Sequence, residues 1–276
     1  MITKIKNSNF FIENNSVIKD CIFNIYLLDS GYLYSAYLPQ KKKHIYFESI
    51  DADNYNSINT DIIHVINTNI SKKNKIFVKT GSISLIPDKI FNTKDLGVYA
   101  EKLLNAGNQN IWYTKVNSLD AYLIYTIPTP LLKTIKNYFS NIEIVPIDKL
   151  ILESTSNYTQ KKDSKLLFNI EDNVAIITHI KDKRIKFYNH ITYKNPEEFI
   201  NTILNIVKTL NIDIRKTEVI ISGKIDVKSE YIKETCNYFT KISLARLPGT
   251  LNFDISMKDI PQHYFYNLFT APLVCG

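Results

Sequence analysis

Apolar and polar residues alternate in short runs over most of this chain, and longer amphipathic segments separate the runs. Ile22–Leu28, Tyr32–Leu38 and His44–Ile50 are rich in β-branched and aromatic residues. Asp29-Ser30-Gly31 and Pro39-Gln-Lys-Lys-Lys43 divide them, which predicts three strands joined by tight turns. Asp53–Ile70 places Ile58, Ile62, Ile63, Val65 and Ile66 at roughly helical spacing, and Lys75–Lys79 returns to a strand. The second half repeats the order, with strands predicted at Leu166–Ile170, Val174–Ile180 and Ile185–Ile191. A helix then opens at Asn195-Pro196-Glu197-Glu198, where proline suits the first helical position and the carboxylates suit the positive end of the dipole. Its apolar face is Phe199, Ile203, Ile206, Val207 and Leu210. Thr217–Ile221 is the next strand, Ser229–Phe239 a helix and Ile242–Leu247 a last strand.

Local wording repeats along with the element order. Leu27–Ser35 and Asn169–Ile177 are each an apolar strand broken by an acidic turn, and Asp29 to Glu171 is a step of 142. Lys75–Gly81 is echoed by Glu218–Gly223, and Gly81 to Gly223 is again a step of 142. Asn137–Ile142 is echoed by Asn237–Ile242 at a step of 100. Ordered self-similarity of this kind decides architecture before any local reading does. The drop from 142 to 100 gives the first copy 42 extra residues between Gly81 and Asn137. Asn110–Lys115 and Asp120–Tyr125, turned by Val116–Leu119, predict a hairpin inserted near 108–127. The polar stretch Glu153–Asp163 reads as a crossover, giving lobe one over residues 1–157 and lobe two over 158–276.

The tail Asp259–Cys275 is predicted to form a short helix from Pro261, carrying Tyr264, Phe265, Leu268 and Phe269. Those four side chains are too apolar to leave in water. The tail is therefore expected to be a structural clasp, packed on lobe two or received by a twofold partner in a homodimer.

Three meandering strands, a helix, a strand, a helix and a strand is the ribonuclease-H-like layout. A tandem pair of such α/β lobes resembles the actin-like ATPase superfamily of actin, sugar kinases and Hsp70-type chaperones. It resembles still more the degenerate members found in bacterial pilus and secretion assemblies. With its tail and length, the chain is similar to an uncharacterised bacterial family, domain of unknown function 3822, whose members are assigned an actin-like ATPase fold without a demonstrated activity.

That resemblance implies where a nucleotide would sit. Actin-like ATPases grip phosphates with an Asp-x-Gly hairpin opening each lobe; the glycine admits backbone amides and the Asp orients Mg²⁺ or water. Asp29-Ser30-Gly31 occupies that turn in lobe one, although it also suits an ordinary two-strand turn. Lobe two offers Glu171-Asp172-Asn173, with no glycine. The superfamily's adenine loop follows the fourth strand of lobe two and carries paired glycines, whereas this chain has Gly223 alone, followed by Lys224. Asp29, Gly31 and Gly223 are thus the cofactor-binding candidates if ATP and Mg²⁺ bind. Each of Gly81 and Gly223 equally reads as a strand-to-helix turn. A ribonuclease-H-like nuclease needs acidic residues converging on two metals, and Asp29, Asp61, Glu171, Glu198 and Glu218 do not complete either set.

Composition narrows the remaining classes. Apolar residues at 45% and charged residues at 22% describe a globular protein. The net charge of +7 suggests a polyanion, yet only three of the 34 basic residues are arginine, the residue on which phosphate and base recognition leans. Nucleic acid is not the expected partner, and Lys41–Lys43 and Lys181–Lys186 read as solvated turns. Cys21, Cys236 and Cys275 are too few and scattered for a disulfide framework or a zinc site. The five histidines lack ligand spacing, so no metal is expected. The beginning Met1–Phe10 lacks the apolar run of a secretory signal and no apolar window is long enough to span a bilayer, so the chain is expected in the cytoplasm. The leading expectation is a non-catalytic scaffold that binds a protein partner and carries no cofactor. The alternative is an ATP-binding protein that uses the cleft between the lobes without efficient hydrolysis.

Overall fold

The alternating runs become strands in the computed structural model, which describes residues 19–28, 31–51, 60–68, 73–104, 106, 109–160, 163–171, 173–257 and 259–274. Asp29, Asp172 and Cys275 lie outside the described residues, as does the predicted first part of the helix after Asp53. The chain divides into two compact units. One takes the described residues through Glu153 with those of Gly249–Asp259 and of Leu268 onward; the other takes Ser154–Pro248 and Ile260–Asn267.

In the first unit β1 (Ile22–Leu28), β2 (Gly31–Leu38) and β3 (Lys43–Asp51) form an antiparallel meander. Helix α1 (Thr60–Thr68) leads to β4 (Lys75–Val78), which lies parallel to β1. Every residue of β2 and of β4 is buried, as befits the middle of a sheet covered on both faces. After β4 the chain leaves this sheet for β5 (Ile83–Pro87), the short helix α2 (Leu96–Tyr99), β6 (Ile111–Val116) and β7 (Ala121–Thr126). These strands make a separate three-stranded sheet in the order β5-β7-β6. Helix α3 (Thr129–Tyr138) returns to β8 (Glu143–Pro146), parallel to β4, and α4 (Ile147–Ser154) follows.

The second unit has the same plan without the extra sheet. β9 (Ser164–Glu171), β10 (Val174–Lys181) and β11 (Arg184–Thr192) form the meander. Helix α5 (Pro196–Thr209) leads to β12 (Glu218–Gly223), and α6 (Glu230–Tyr238) leads to β13 (Ile242–Leu244). Asn195 caps α5 by accepting from the Glu198 N–H, as its sequence requires, and Ser229 caps α6. Phe199, Ile203 and Val207 on α5 pack with Phe168, Val219, Ile221 and Phe239 into the core of this unit. β13 stops at Leu244, shorter than the predicted Ile242–Leu247.

Strand order is β3-β2-β1-β4-β8 in one sheet and β11-β10-β9-β12-β13 in the other, so each runs third, second, first, fourth, fifth. The pairing registers fix which residues correspond. Leu28 faces Gly31 across the first turn and Glu171 faces Val174 across the second, a step of 171 − 28 = 143. A register shift falls between Ala36 and Tyr37 in one meander and between His179 and Ile180 in the other, again at 179 − 36 = 143. Leu28 is therefore the counterpart of Glu171, so the predicted equivalence of Asp29 with Glu171 is out of register, and Asp29 itself lies outside the described residues. Ile25 pairs with Ile76 and Phe168 with Ile221, so the fourth strands differ by 221 − 76 = 145. On that count Gly223 matches Val78, and the predicted equivalence of Gly81 with Gly223 fails. Gly81 is instead drawn to the extra sheet, where its N–H donates to the Thr126 carbonyl at 2.9 Å. The third echo holds: Phe139 and Phe239 both close their helices, and Ile144 in β8 corresponds to Leu244 in β13 at a step of 100. The first unit thus carries 145 − 100 = 45 extra residues, which include β5 and α2 besides the predicted hairpin.

The last segment divides between the units. β14 (Asn252–Phe253) extends the first sheet parallel to β3, and Lys43 bonds Asp254 at 2.8 Å. The final helix α7 (Tyr266–Val274) begins five residues later than predicted. A helix running from Pro261 would need the His263 carbonyl for the Asn267 N–H, but that carbonyl accepts from Gly223 at 2.8 Å. Phe265, Leu268 and Phe269 are buried, and Tyr264 is half-buried.

Candidate functional site

Gly223 closes β12 at the position where the resemblance places an adenine loop. Its φ is +105°, and a Cβ built on it would lie 1.9 Å from the Ile170 carbonyl oxygen in the neighbouring strand. Both facts demand glycine for backbone reasons alone. The surrounding amides are already engaged: Gly223 N–H donates to His263, and Ile225 N–H donates back to the Gly223 carbonyl at 2.8 Å. The His263 Nε2 lies 3.1 Å from the Ile225 carbonyl. Burial lowers the His263 pKa, which keeps the ring neutral and makes Nε2–H the donor. The loop after β12 is thus filled by the chain's own tail.

Polar side chains at the same end of β9 and β12 are answered in the same way. Asn169 Oδ1 accepts from Ser222 Oγ at 3.0 Å and from Asn267 Nδ2 at 2.7 Å. Its own amide nitrogen donates to Glu171 Oε1 at 3.2 Å. Asn169 and Asn267 are buried, where such groups need partners, so the tail satisfies this strand end.

Gly31 opens β2 at φ +143°, a region that glycine favours, between partners Leu28 and Asp51. Asp29, which would act beside it, lies outside the described residues. Thr80, just past β4, donates to the buried carboxylate of Asp148 at 2.9 Å. Among the described residues no group of three His, Cys, Asp or Glu side chains is arranged to hold a metal ion. Among the described residues no helix is long and apolar enough to cross a membrane.

The extra sheet of the first unit presents a different kind of surface. Ile86, Ala100, Leu104, Ala106 and Ile124 form its small core. Outside that core, Phe91 stacks on Tyr122 with ring centroids 3.9 Å apart and touches Tyr113 at 5.3 Å. Ile90 is 67% exposed, Val98 55%, Leu103 49% and Tyr113 45%, half of the large apolar side chains left exposed among the described residues. They all fall between β4 and α3. The hairpin of this sheet is bonded to α4. The buried Glu153 carboxylate at the end of α4 accepts from Asn117 N–H at 2.7 Å and Ser118 N–H at 3.1 Å. Lys149 on the same helix reaches Thr114 Oγ1 at 3.1 Å. Spacing alone revealed the hairpin but not this surface, because Ile90, Val98 and Leu103 fall in short helical segments without a long periodic run and Tyr113 is on β6.

The fold has counterparts among known structures. A crystal structure from Bacteroides thetaiotaomicron VPI-5482, described as a protein with actin-like ATPase fold and unknown function, superposes with TM-score 0.70 at 14% identity over 92% of this chain and 97% of that one. The PilM-PilN type IV pilus biogenesis complex contains a chain that superposes with TM-score 0.59 at 6% identity, over 92% of this chain and 98% of that one. The fold is therefore that of the actin-like ATPases. The family described as Protein of unknown function (DUF3822) matches residues 13–242, and the chain belongs to that family. No curated protein matches it by sequence.

Proposed function

We propose that this protein is a non-catalytic, cytoplasmic scaffold that binds a protein partner through the sheet inserted between β4 and α3. The observation that carries the reading is the engagement of Gly223: its amide and the Asn169–Ser222 strand end are bonded to the tail, leaving the degenerate loop with little to offer an adenine. The exposed Ile90, Val98, Leu103 and Tyr113, all carried by this one insert, supply the partner surface, since exposed apolar patches mark interaction sites. The pilus-complex neighbour, found with a partner, is a precedent for the fold in that role. A second reading, a nucleotide-binding protein using Asp29 and Gly31 on phosphate, draws on the positive φ of Gly31.

Melting with and without Mg-ATP separates the two, because a ligand of the native state must raise the midpoint. The scaffold reading expects an unchanged midpoint and no ATP turnover above buffer. A rise, or turnover, that disappears in Asp29→Ala would establish the second reading instead.

A further inference from the structure

At the opposite end of the second sheet, where β9 begins, a cavity of about 660 Å³ is lined by Ser164, His179, Lys181, Lys186, Lys216 and Thr217. Ser164 and Ile170 are six residues apart on β9, so this cavity lies roughly 20 Å from the Gly223 end. Its volume falls within the range that small ligands occupy, about 300–1,000 Å³.

A directed hydrogen-bond chain runs along its wall. Thr217 Oγ1 donates to Ser164 Oγ at 2.8 Å, and Ser164 Oγ lies 3.0 Å from His179 Nε2. With Ser164 accepting from Thr217, its own proton goes to Nε2, so the neutral imidazole carries its proton on Nδ1. His179 is buried, and burial first, then Lys181 and Lys186, lowers its pKa and keeps it neutral. Its Nδ1–H is a donor with no partner among the described residues.

Charge around the chain is unbalanced. Asp163 is taken by Lys165 at 2.5 Å. Asp213 is taken by Lys216 at 3.4 Å and by the Arg215 N–H at 3.0 Å. Lys181 and Lys186 have no carboxylate partner among the described residues. A two-residue turn, with Asp182 at φ +54° and Lys183 at φ +64°, joins the strands that carry them. Two unpaired ammonium groups and a fixed N–H form a complement for a compact dianion. Leu210 and Ile212 add an apolar wall.

We propose that this cavity binds a small phosphorylated metabolite, with the phosphate held by Lys181, Lys186 and the His179 Nδ1–H and an apolar portion against Leu210 and Ile212. Titration calorimetry of the full chain with inorganic pyrophosphate tests it. Saturable one-to-one binding is expected, weakened about tenfold or more in the Lys181→Ala/Lys186→Ala double variant. Both lysines are exposed, so that variant should melt as the parent does. Asp29→Ala should leave the pyrophosphate affinity unchanged, which keeps this outcome separate from nucleotide binding elsewhere. Absence of saturable heat at millimolar pyrophosphate, equal affinity in the double variant, or loss in Asp29→Ala would each overturn the inference.

Discussion

The Nε2 of His44 lies 2.9 Å from the carbonyl oxygen of Phe269, 225 residues further along the chain. The ring also stacks on Phe253 at 5.3 Å and meets the Phe269 ring edge-on at 5.0 Å. His44 is fully buried, and its Nδ1 has no partner among the described residues. Burial is the main reason its pKa falls to about 4, with the bond to Phe269 acting in the opposite direction. The neutral ring with its proton on Nε2 is the form that fits.

Stability should therefore depend on pH in a defined window. Between pH 6.5 and 4 the unfolded chain binds a proton at this histidine that the native state refuses, so stability is complete above 6.5 and declines as pH falls. The pKa values of His179 and His263 are also lowered, so they act in the same direction. A shift from 6.5 to about 4 corresponds to about 3 kcal/mol. Melting curves from pH 7.5 to 4.5 should show the decline, and His44→Gln, which keeps a donor without titrating, should make it shallower. Equal slopes in both proteins would remove His44 from the account.

Phe269 is 1% exposed and touches Phe47 and Phe253 as well as His44. Phe269→Ala should cost about 3–5 kcal/mol, the usual consequence of emptying a buried aromatic site. Urea denaturation measures this, and deletion of residues 260–276 should have a larger effect or prevent soluble expression. An unchanged midpoint in the alanine variant would mean that the tail is not structural.

Glu153 ties the inserted hairpin to α4 through two backbone amides. Glu153→Ala should leave both donors without a partner and cost about 1–3 kcal/mol. Hydrogen exchange offers a local check: the Asn117 and Ser118 amides should lose protection while β9 and β12 keep theirs. Uniform loss throughout the chain would assign Glu153 a global role.

Substituting glycines should separate positions that need the residue from those that do not. Gly223→Ala would bring a side chain into the Ile170 backbone at a φ of +105°, and should lower the melting point strongly or abolish folding. Gly97 in α2 has open space around it, so Gly97→Ala should be neutral or stabilising by up to about 1 kcal/mol. If both variants melt alike, the conformational reason given for Gly223 is wrong.

The meanders and their following helices were legible because strand alternation, the Asn195-Pro196 start and the Ser229 cap are local signals. Element order was legible too, but residue-level correspondence was not. Glu171 corresponds to Leu28 and Gly223 to Val78, because a recurring acid or glycine is a local signal whereas pairing register decides the match. The extra sheet was half seen: β6 and β7 alternate, whereas β5 and α2 depend on contacts with β7 and the small core. Gly223 itself was found, but its reason lies in Ile170 on another strand, which no spacing reveals. The cavity at the start of β9 is not legible in the sequence because its walls come from Ser164, His179, Lys186 and Thr217, scattered in sequence and gathered at one sheet end only by the fold. The run Lys181–Lys186 was the available signal, and it read as a solvated turn.

The pairing of β14 with β3 also sets a timetable. β3 is finished at Asp51, and its partner strand begins at Asn252, so roughly 200 residues must be made in between. At about 5–20 residues per second, the ribosome leaves that strand edge bare for about 10–40 seconds. A bare edge is a template for pairing with a neighbouring chain, and lysine is a common deterrent. Lys41, Lys42 and Lys43 stand at the start of this edge, and the Lys43 charge is matched only when Asp254 arrives. The lysine run thus puts positive charge beside that edge while it is bare, and Lys43 is paired with Asp254 only once β14 has been made.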